Sequence, residues 1–282
     1  MNKIRLALLD MNNNHINQGM RNITEISYAF REQSPAELEV KIFDVRFRNE
    51  VPQIEDFDIF ISSGGPGNPH REGYEWEQKF ADFLDGIWNH NKNSEQKKYL
   101  FLICHSFQLA SIHWKLGNIC KRKSYSFGVM PVHKTDEGES DILLKNLPDP
   151  FYAVDSRAYQ FIEPNFKLMN ELGMKIMVLE KVRPHIQLER AVMAIRFSDE
   201  IFGTQFHPEA DPEGMMKNLE DDTNRAAMIK NYGVEKYLET IDRLNDDDKI
   251  LLTQKEILPT FLKNAADQVM PVSYTHLRAH ET

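Results

Sequence analysis

Three short stretches hold residue types that could build a nucleophilic site. In LFLICHSFQ, Leu100 to Gln108, an apolar run ends in Cys104, His105 and Ser106. A thiol where a buried strand becomes a helix sees the positive end of the helix dipole, which favours the attacking thiolate. The backbone N–H of His105 becomes a candidate donor to an oxyanion. A buried cysteine serving as a small apolar residue is the competing reading. The second stretch is SSGGPGNP, Ser62 to Pro69. Two glycines before a proline give a tight loop whose amides can approach a ligand closely. It has neither GxGxxG nor a following Gly-Lys-Ser/Thr, so it is no phosphate-binding loop. An ordinary strand-to-helix turn would read the same way. The third is GTQFHPEA, Gly203 to Ala210. Residues two apart in an extended segment point to one side, so Glu209 can orient the His207 imidazole and leave its other nitrogen for a thiol. A lone His-x-Glu is more often polar surface.

Short apolar runs alternating with helical patterns predict a parallel sheet with helices on its faces. Strands are expected at Ile4–Leu9, Leu38–Phe43, Asp58–Ser62 and Tyr99–Ile103, and helices at Met20–Arg31, Glu72–Trp88 and Ser106–Leu116. In the last helix, Leu109, Ile112, His113 and Leu116 follow the spacing of one buried face. The middle adds antiparallel pieces at Phe127–Val132, Phe151–Val154, Lys175–Leu179 and Ala191–Phe197, and a final strand, Ile201–Phe206, leads into the His-Pro-Glu stretch. All three candidate stretches therefore fall at carboxyl ends of strands, where open parallel sheets bind ligands. Their joint placement is more telling than any one alone.

A net charge of −9 excludes a general nucleic-acid binder, which needs a basic surface to neutralise phosphates. Cys104 and Cys120 make neither a disulfide framework nor a CxxC zinc pair, so no metal is expected and a reducing, cytoplasmic setting fits. The N-terminal apolar run is interrupted by Arg5 and ended by Asp10, which reads as a strand rather than a leader. No segment approaches the roughly 18 apolar residues of a membrane helix. Residues 212–270 read as charged helices packed on the main domain, 1–211; their apolar positions also leave room for a homodimer. The tail, 271–282, reads as disordered or as cloning-derived sequence.

The three stretches together resemble the class I glutamine amidotransferase family, over roughly residues 3–211. The family's SGGPxxP loop is matched by Ser63, Gly64, Gly65 and Pro66, its G-x-C-x-G-x-Q nucleophile pattern by Leu102 to Gln108, and its H-P-E by His207, Pro208 and Glu209. The resemblance implies a three-layer, flavodoxin-like α/β fold with a mostly parallel open sheet. It implies a catalytic triad of Cys104, His207 and Glu209, oxyanion donors at Gly64, Gly65 and His105, and no cofactor. Gln108 would hold the substrate, with backbone contacts from YSFGV at Phe127 and Gly128. The expected substrate is glutamine or a γ-glutamyl compound, hydrolysed through a γ-glutamyl thioester with release of ammonia. The acceptor would be a separate synthetase subunit, or water alone, as in stand-alone GMP-synthase-like members. The segment AVDSRAYQF lacks the family's histidine, which argues against a true GMP synthase subunit. Asp10 to Asn14, Tyr74 and Arg157 are candidates for the acceptor side. Leu102 and Ser106 replace the two glycines that flank the nucleophile. That departure keeps open a non-catalytic, regulatory binding protein of this fold; a cysteine hydrolase of γ-glutamyl compounds or peptides is the other alternative.

Overall fold

Alternation along the first strands sets the architecture. In β1 (Lys3–Asp10), Ile4, Leu6 and Leu8 join one buried cluster, while Ala7 and Leu9 join another. The same division separates Ile59 and Ile61 from Phe60, and Phe101 and Ile103 from Leu100 and Leu102. A strand buried on both faces must be covered by helices on both. The computed structural model describes residues 3–15, 17–185 and 187–270, and shows that three-layer arrangement.

After β1 come α1 (Gln18–Gln33), β2 (Glu37–Asp44), β3 (Ile59–Ser62), α2 (Glu75–Asn93), β4 (Tyr99–Ile103) and α3 (His105–His113). Next are β5 (Asn118–Lys134), α4 (Asp136–Ser140), β6 (Phe151–Ile162), α5 (Phe166–Leu172), β7 (Lys175–Glu180), β8 (Val192–Arg196) and β9 (Ile201–Thr204). Four helices close the described chain: α6 (Pro212–Glu220), α7 (Asp222–Tyr232), α8 (Val234–Leu244) and α9 (Ile250–Val269). Among the described residues the strands form one nine-stranded sheet in the order β2-β1-β3-β4-β9-β8-β7-β5-β6. Pairing is parallel from β2 through β9 and antiparallel from there to β6.

The helices after residue 212 do two jobs. Ile257, Leu258, Phe261, Leu262 and Ala265 of α9 are fully or nearly fully buried with β1, β3 and β4, so α9 shares one sheet face with α1. The helices α6, α7 and α8 instead close a separate small cluster with Val129 and Val154 on the outer β5–β6 pair. The tail, 271–282, lies outside the described residues.

Helix α3 turns a different face inward from the one its spacing predicts. Phe107, Ala110 and Ser111 are buried, whereas Leu109 and Ile112 are only partly so. The helix leaves the strand end sharply and is covered on most sides, so packing overrides its weak apolar stripe.

Leu102 is fully buried in the cluster shared with α2 and α3. Its paired residue on β9 is Gly203, where an added methyl would stand 3.2 Å from the Leu102 Cβ and 3.1 Å from the Phe107 ring. The glycine across the ladder leaves the room that the leucine occupies.

Candidate active site

The carboxyl ends of β1, β3, β4 and β9 meet at a cavity of about 390 Å³. It is lined by Cys104, His207 and Glu209, by Ser63 to Pro66, by Asn12, His15, Asn17 and Gly19, and by Tyr125 and Ser156.

Cys104 sits between β4 and α3 with φ 48° and ψ −97°, a conformation that L residues with a Cβ rarely adopt. Strain of this kind persists where the surroundings fix it, as at strand-to-helix elbows that expose a nucleophile. Here its amide donates to the Thr204 carbonyl at 2.7 Å, and its carbonyl accepts from the Gln108 amide at 3.0 Å. The thiol donates toward the Ser156 carbonyl at 3.8 Å, and the Gln205 side-chain amide donates to the sulfur at 3.6 Å.

His207 is pinned to β6 by a hydrogen bond from its amide to the Val154 carbonyl, 2.9 Å. Its Nδ1 meets Glu209 Oε1 at 2.8 Å, which leaves Nε2 for the thiol. Burial on its own lowers the imidazole pKa. The Glu209 charge, the charge of the Cys104 thiolate and the hydrogen bonds to both more than offset it, so the pKa stands well above the usual histidine value. Glu209 is buried, and Gly19 in the first turn of α1 packs on it so closely that a methyl there would come within 2.9 Å of Oε1. The positive end of α1 thus faces the carboxylate.

The glycine loop closes the third side. A methyl on Gly64 would stand 2.8 Å from His207 Cε1 and 3.4 Å from the Cys104 Cβ, so the loop backbone touches both groups. Gly65 packs on the Met11 carbonyl, 2.2 Å from where its Cβ would be, and tolerates no side chain. Among the described residues neither glycine gives its amide hydrogen to a protein acceptor. The amide of His105 opens α3, where first-turn N–H groups have no intrahelical partner. The His105 ring is buried with Nε2 unpaired, and burial together with the Arg46 charge pushes its pKa down to about 3. It is therefore neutral at working pH.

The model of the family "Glutamine amidotransferase class-I" matches residues 16–225, well over half of the chain. The chain belongs to that family. No protein of curated function matches it in sequence. Among solved structures it is similar to a glutamine amidotransferase from Thermotoga maritima, at 13% identity and TM-score 0.67, covering 94% of this chain and 98% of that one. It is also similar to a glutamine amidotransferase from Methylobacillus flagellatus, at 12% identity and TM-score 0.63, covering 98% and 99%. The glutaminase domain of Trypanosoma brucei CTPS with bound acivicin follows at 14% identity and TM-score 0.57, covering 94% and 93%. At these identities the likeness is one of fold.

In this class I amidotransferase, six of the nine expected site residues gather at the cavity: Cys104, His207, Glu209, Gly64 and Gly65 line it, and His105 adjoins the thiol. The other three lie elsewhere. Gln108 donates to Gln205 Oε1 at 2.9 Å and so reaches the thiol through Gln205. Phe127 stacks on Tyr232 with ring centroids 6.0 Å apart, and Gly128 lies under α8 against Thr240 and Lys236. From the same YSFGV segment it is Tyr125 that lines the cavity, its hydroxyl 2.9 Å from Ser156 Oγ. Of the acceptor-side candidates, Asn12 lines the cavity. Arg157 is buried in ion pairs with Asp155 and Glu180, at 2.8 and 3.1 Å, and Tyr74 caps α2. Sequence reasoning missed Tyr125 and Ser156, which carry no motif, and Gln205, which stood in plain view inside GTQFHPEA.

Ser106, in place of a family glycine, ties the elbow to the loop. Its hydroxyl donates to the Ser63 carbonyl at 2.7 Å and lies 2.7 Å from Ser62 Oγ. Replacing it with alanine should cost about 1–3 kcal/mol, because the Ser62 hydroxyl is then left buried without its partner. The denaturant midpoint should fall at constant m-value; an unchanged midpoint would show the two bonds to be dispensable.

Proposed function

We propose that the chain hydrolyses the side-chain amide of glutamine or of a γ-glutamyl compound, with Cys104 as nucleophile, His207 as acid and base, and Glu209 orienting His207. One observation carries this reading: a thiol on a strained elbow, a histidine held by a buried glutamate and a glycine loop with free amides converge on one cavity.

The pKa of His207 is raised, so it can hold the proton taken from the Cys104 thiol, and the nucleophile is the thiolate so formed. The Cys104 sulfur attacks the amide carbon and forms a C–S bond as the carbonyl π pair moves to oxygen. The amides of Gly64, Gly65 and His105 are the available donors to that oxyanion. His207 Nε2 then gives its proton to the amide nitrogen, the C–N bond breaks, and ammonia leaves the γ-glutamyl thioester. The now neutral imidazole takes a proton from water, whose oxygen attacks the thioester carbon. Collapse of the second tetrahedral species breaks the C–S bond and releases the γ-carboxylic acid, which gives its proton to solvent, leaving the thiolate beside protonated His207. Gln205 supports this cycle by donating to the sulfur in its anionic form.

Glutamine is the first substrate to assay, given the family and the fold shared with a glutaminase domain. Ammonia would then pass to a separate synthetase partner or leave to water. Among the described residues no helix is long and apolar enough to cross a membrane, and the two unpaired cysteines fit a reducing compartment such as the cytoplasm. Purified chain given glutamine and a panel of γ-glutamyl amides should release ammonia at a measurable rate. Silence toward every member, from a protein whose thermal transition is cooperative, would sink the proposal.

A further inference from the structure

Among the described residues, the guanidinium that stands behind the glycine loop has no carboxylate in contact. Arg46 follows β2 by two residues, at the same edge of the sheet as Cys104. Its Nη1 donates to the Met11 carbonyl at 3.2 Å and to the Pro66 carbonyl at short range, so one group fastens the exit of β1 to the loop that holds Gly64 and Gly65. The guanidinium lies over the buried Trp76 ring, 4.9 Å from its centroid, and Trp76 in turn neighbours His105 at 6.5 Å. Half-burial lowers the Arg46 pKa, and the carboxylates of Glu72 and Glu77 act on it only through space. Glu77 is engaged elsewhere, accepting the amides of Glu72, Gly73 and Tyr74 at 2.9–3.1 Å.

Such an arrangement has two consequences. The first is mechanical. The Met11 carbonyl receives both Arg46 Nη1 and the close approach of Gly65, while the Met11 amide donates to Ser63 Oγ at 3.0 Å. The loop is thereby held from its far side in one geometry, as preorganised donors require. The second is electrostatic. A positive charge attached to the Pro66 carbonyl favours negative charge that develops on the cavity side of the loop. Only the Trp76 ring stands between the guanidinium and His105, the residue next to the nucleophile.

We propose that Arg46 is a positioning residue of the oxyanion loop, holding Gly64 and Gly65 in place and adding positive potential where the tetrahedral oxyanion forms. The inference rests on the amide-hydrolysis reading, so its test needs one arm that does not depend on turnover. Arg46→Met and Arg46→Gln should lower kcat for glutamine about ten- to a hundredfold with KM within about threefold, one layer removed from the cost of losing a direct oxyanion donor. Arg46→Lys, which keeps the charge but not the planar fork, should recover most of the loss, and Arg46→Gln, which keeps a donor but no charge, should not. If Arg46→Met fails to fold, the comparison of lysine with glutamine still decides. In hydrogen–deuterium exchange, the hydrogen-bonded amides at the base of the loop, Met11 to Ser63 Oγ and Ser63 to the Leu9 carbonyl, should lose protection in the neutral variants.

A wild-type chain that turns over glutamine, with kcat and loop exchange both untouched by these substitutions, overturns the role of Arg46 alone. Equal recovery by glutamine and lysine overturns the electrostatic part. A wild-type chain silent toward glutamine, whose loop exchange nevertheless quickens when Arg46 is replaced, overturns the hydrolase reading and supports the clamp.

Discussion

Alanine at position 104 should abolish ammonia release, by about ten-thousandfold or more, and leave the folded state nearly as stable as before. On the proposed mechanism the loss follows from removing the atom that would form the thioester. Neighbouring groups cannot replace it, since among the described lining residues there is no second thiol, and the hydroxyls are engaged elsewhere, Ser63 with the Gly64 carbonyl and Tyr125 with Ser156. Stability tells more. A residue at φ 48° and ψ −97° pays for its Cβ, by about 1–3 kcal/mol on the scale for such backbone strain. Glycine, which elsewhere destabilises relative to alanine, should therefore stabilise here: Cys104→Gly should unfold at higher denaturant than Cys104→Ala. Both variants should be inactive. Turnover by either would move the nucleophile away from Cys104. A glycine variant no more stable than the alanine one would mean that the elbow is not strained.

Legibility in the sequence followed the range of the interactions involved. Strands β1 and β4 were readable because continuous apolar runs between turn residues admit few other placements, and β4 ends where its last apolar residue, Ile103, does. The His–Glu pair was readable because its geometry is local: two residues apart in extended chain, the side chains meet at 2.8 Å. Tyr125 and Ser156 were not, because their positions depend on pairing between distant segments. The register of β5 on β6 shifts between Lys121 and Ser126, and that irregularity brings Tyr125 over Ser156. Gln108 was found as a residue but not in its orientation, since its partner Gln205 is 97 positions away and belongs to another strand end. Leu102 is the instructive case. Judged along the chain it replaces a glycine and needs repacking; judged across the ladder it faces Gly203, which leaves the space. Arg46 had no signal at all, because two backbone carbonyls and an aromatic face are contacts that no motif encodes.

Exchanging Glu209 for glutamine should lower kcat roughly a thousand- to ten-thousandfold while preserving the fold, through a proton rather than through a lost contact. Glutamine is nearly isosteric, so the 2.8 Å link to Nδ1 can persist. Its amide end, though, can donate to Nδ1 and so favour the tautomer with its proton on Nε2, the wrong one for a base that must serve the thiol side; in a Ser-His-Asp triad the equivalent neutralisation costs about ten-thousandfold. The charge matters as much. Burial depresses the His207 pKa, and the largest influence raising it is Glu209. Without that charge the His207 pKa should fall, and the imidazole should hold a proton taken from the thiol less firmly. An NMR titration of the His207 ring in the two proteins would read this directly, with the variant titrating at lower pH. The sign carries over to stability. A histidine whose folded pKa is raised above about 6.5 stabilises the fold fully below that pH and loses the contribution as pH climbs through the folded value. The stability gap between wild type and Glu209→Gln should thus be widest near and below pH ~6.5 and narrow as the solution becomes alkaline. A gap that widened with pH, or a His207 titration indifferent to the substitution, would separate Glu209 from the imidazole and remove the third member of the triad.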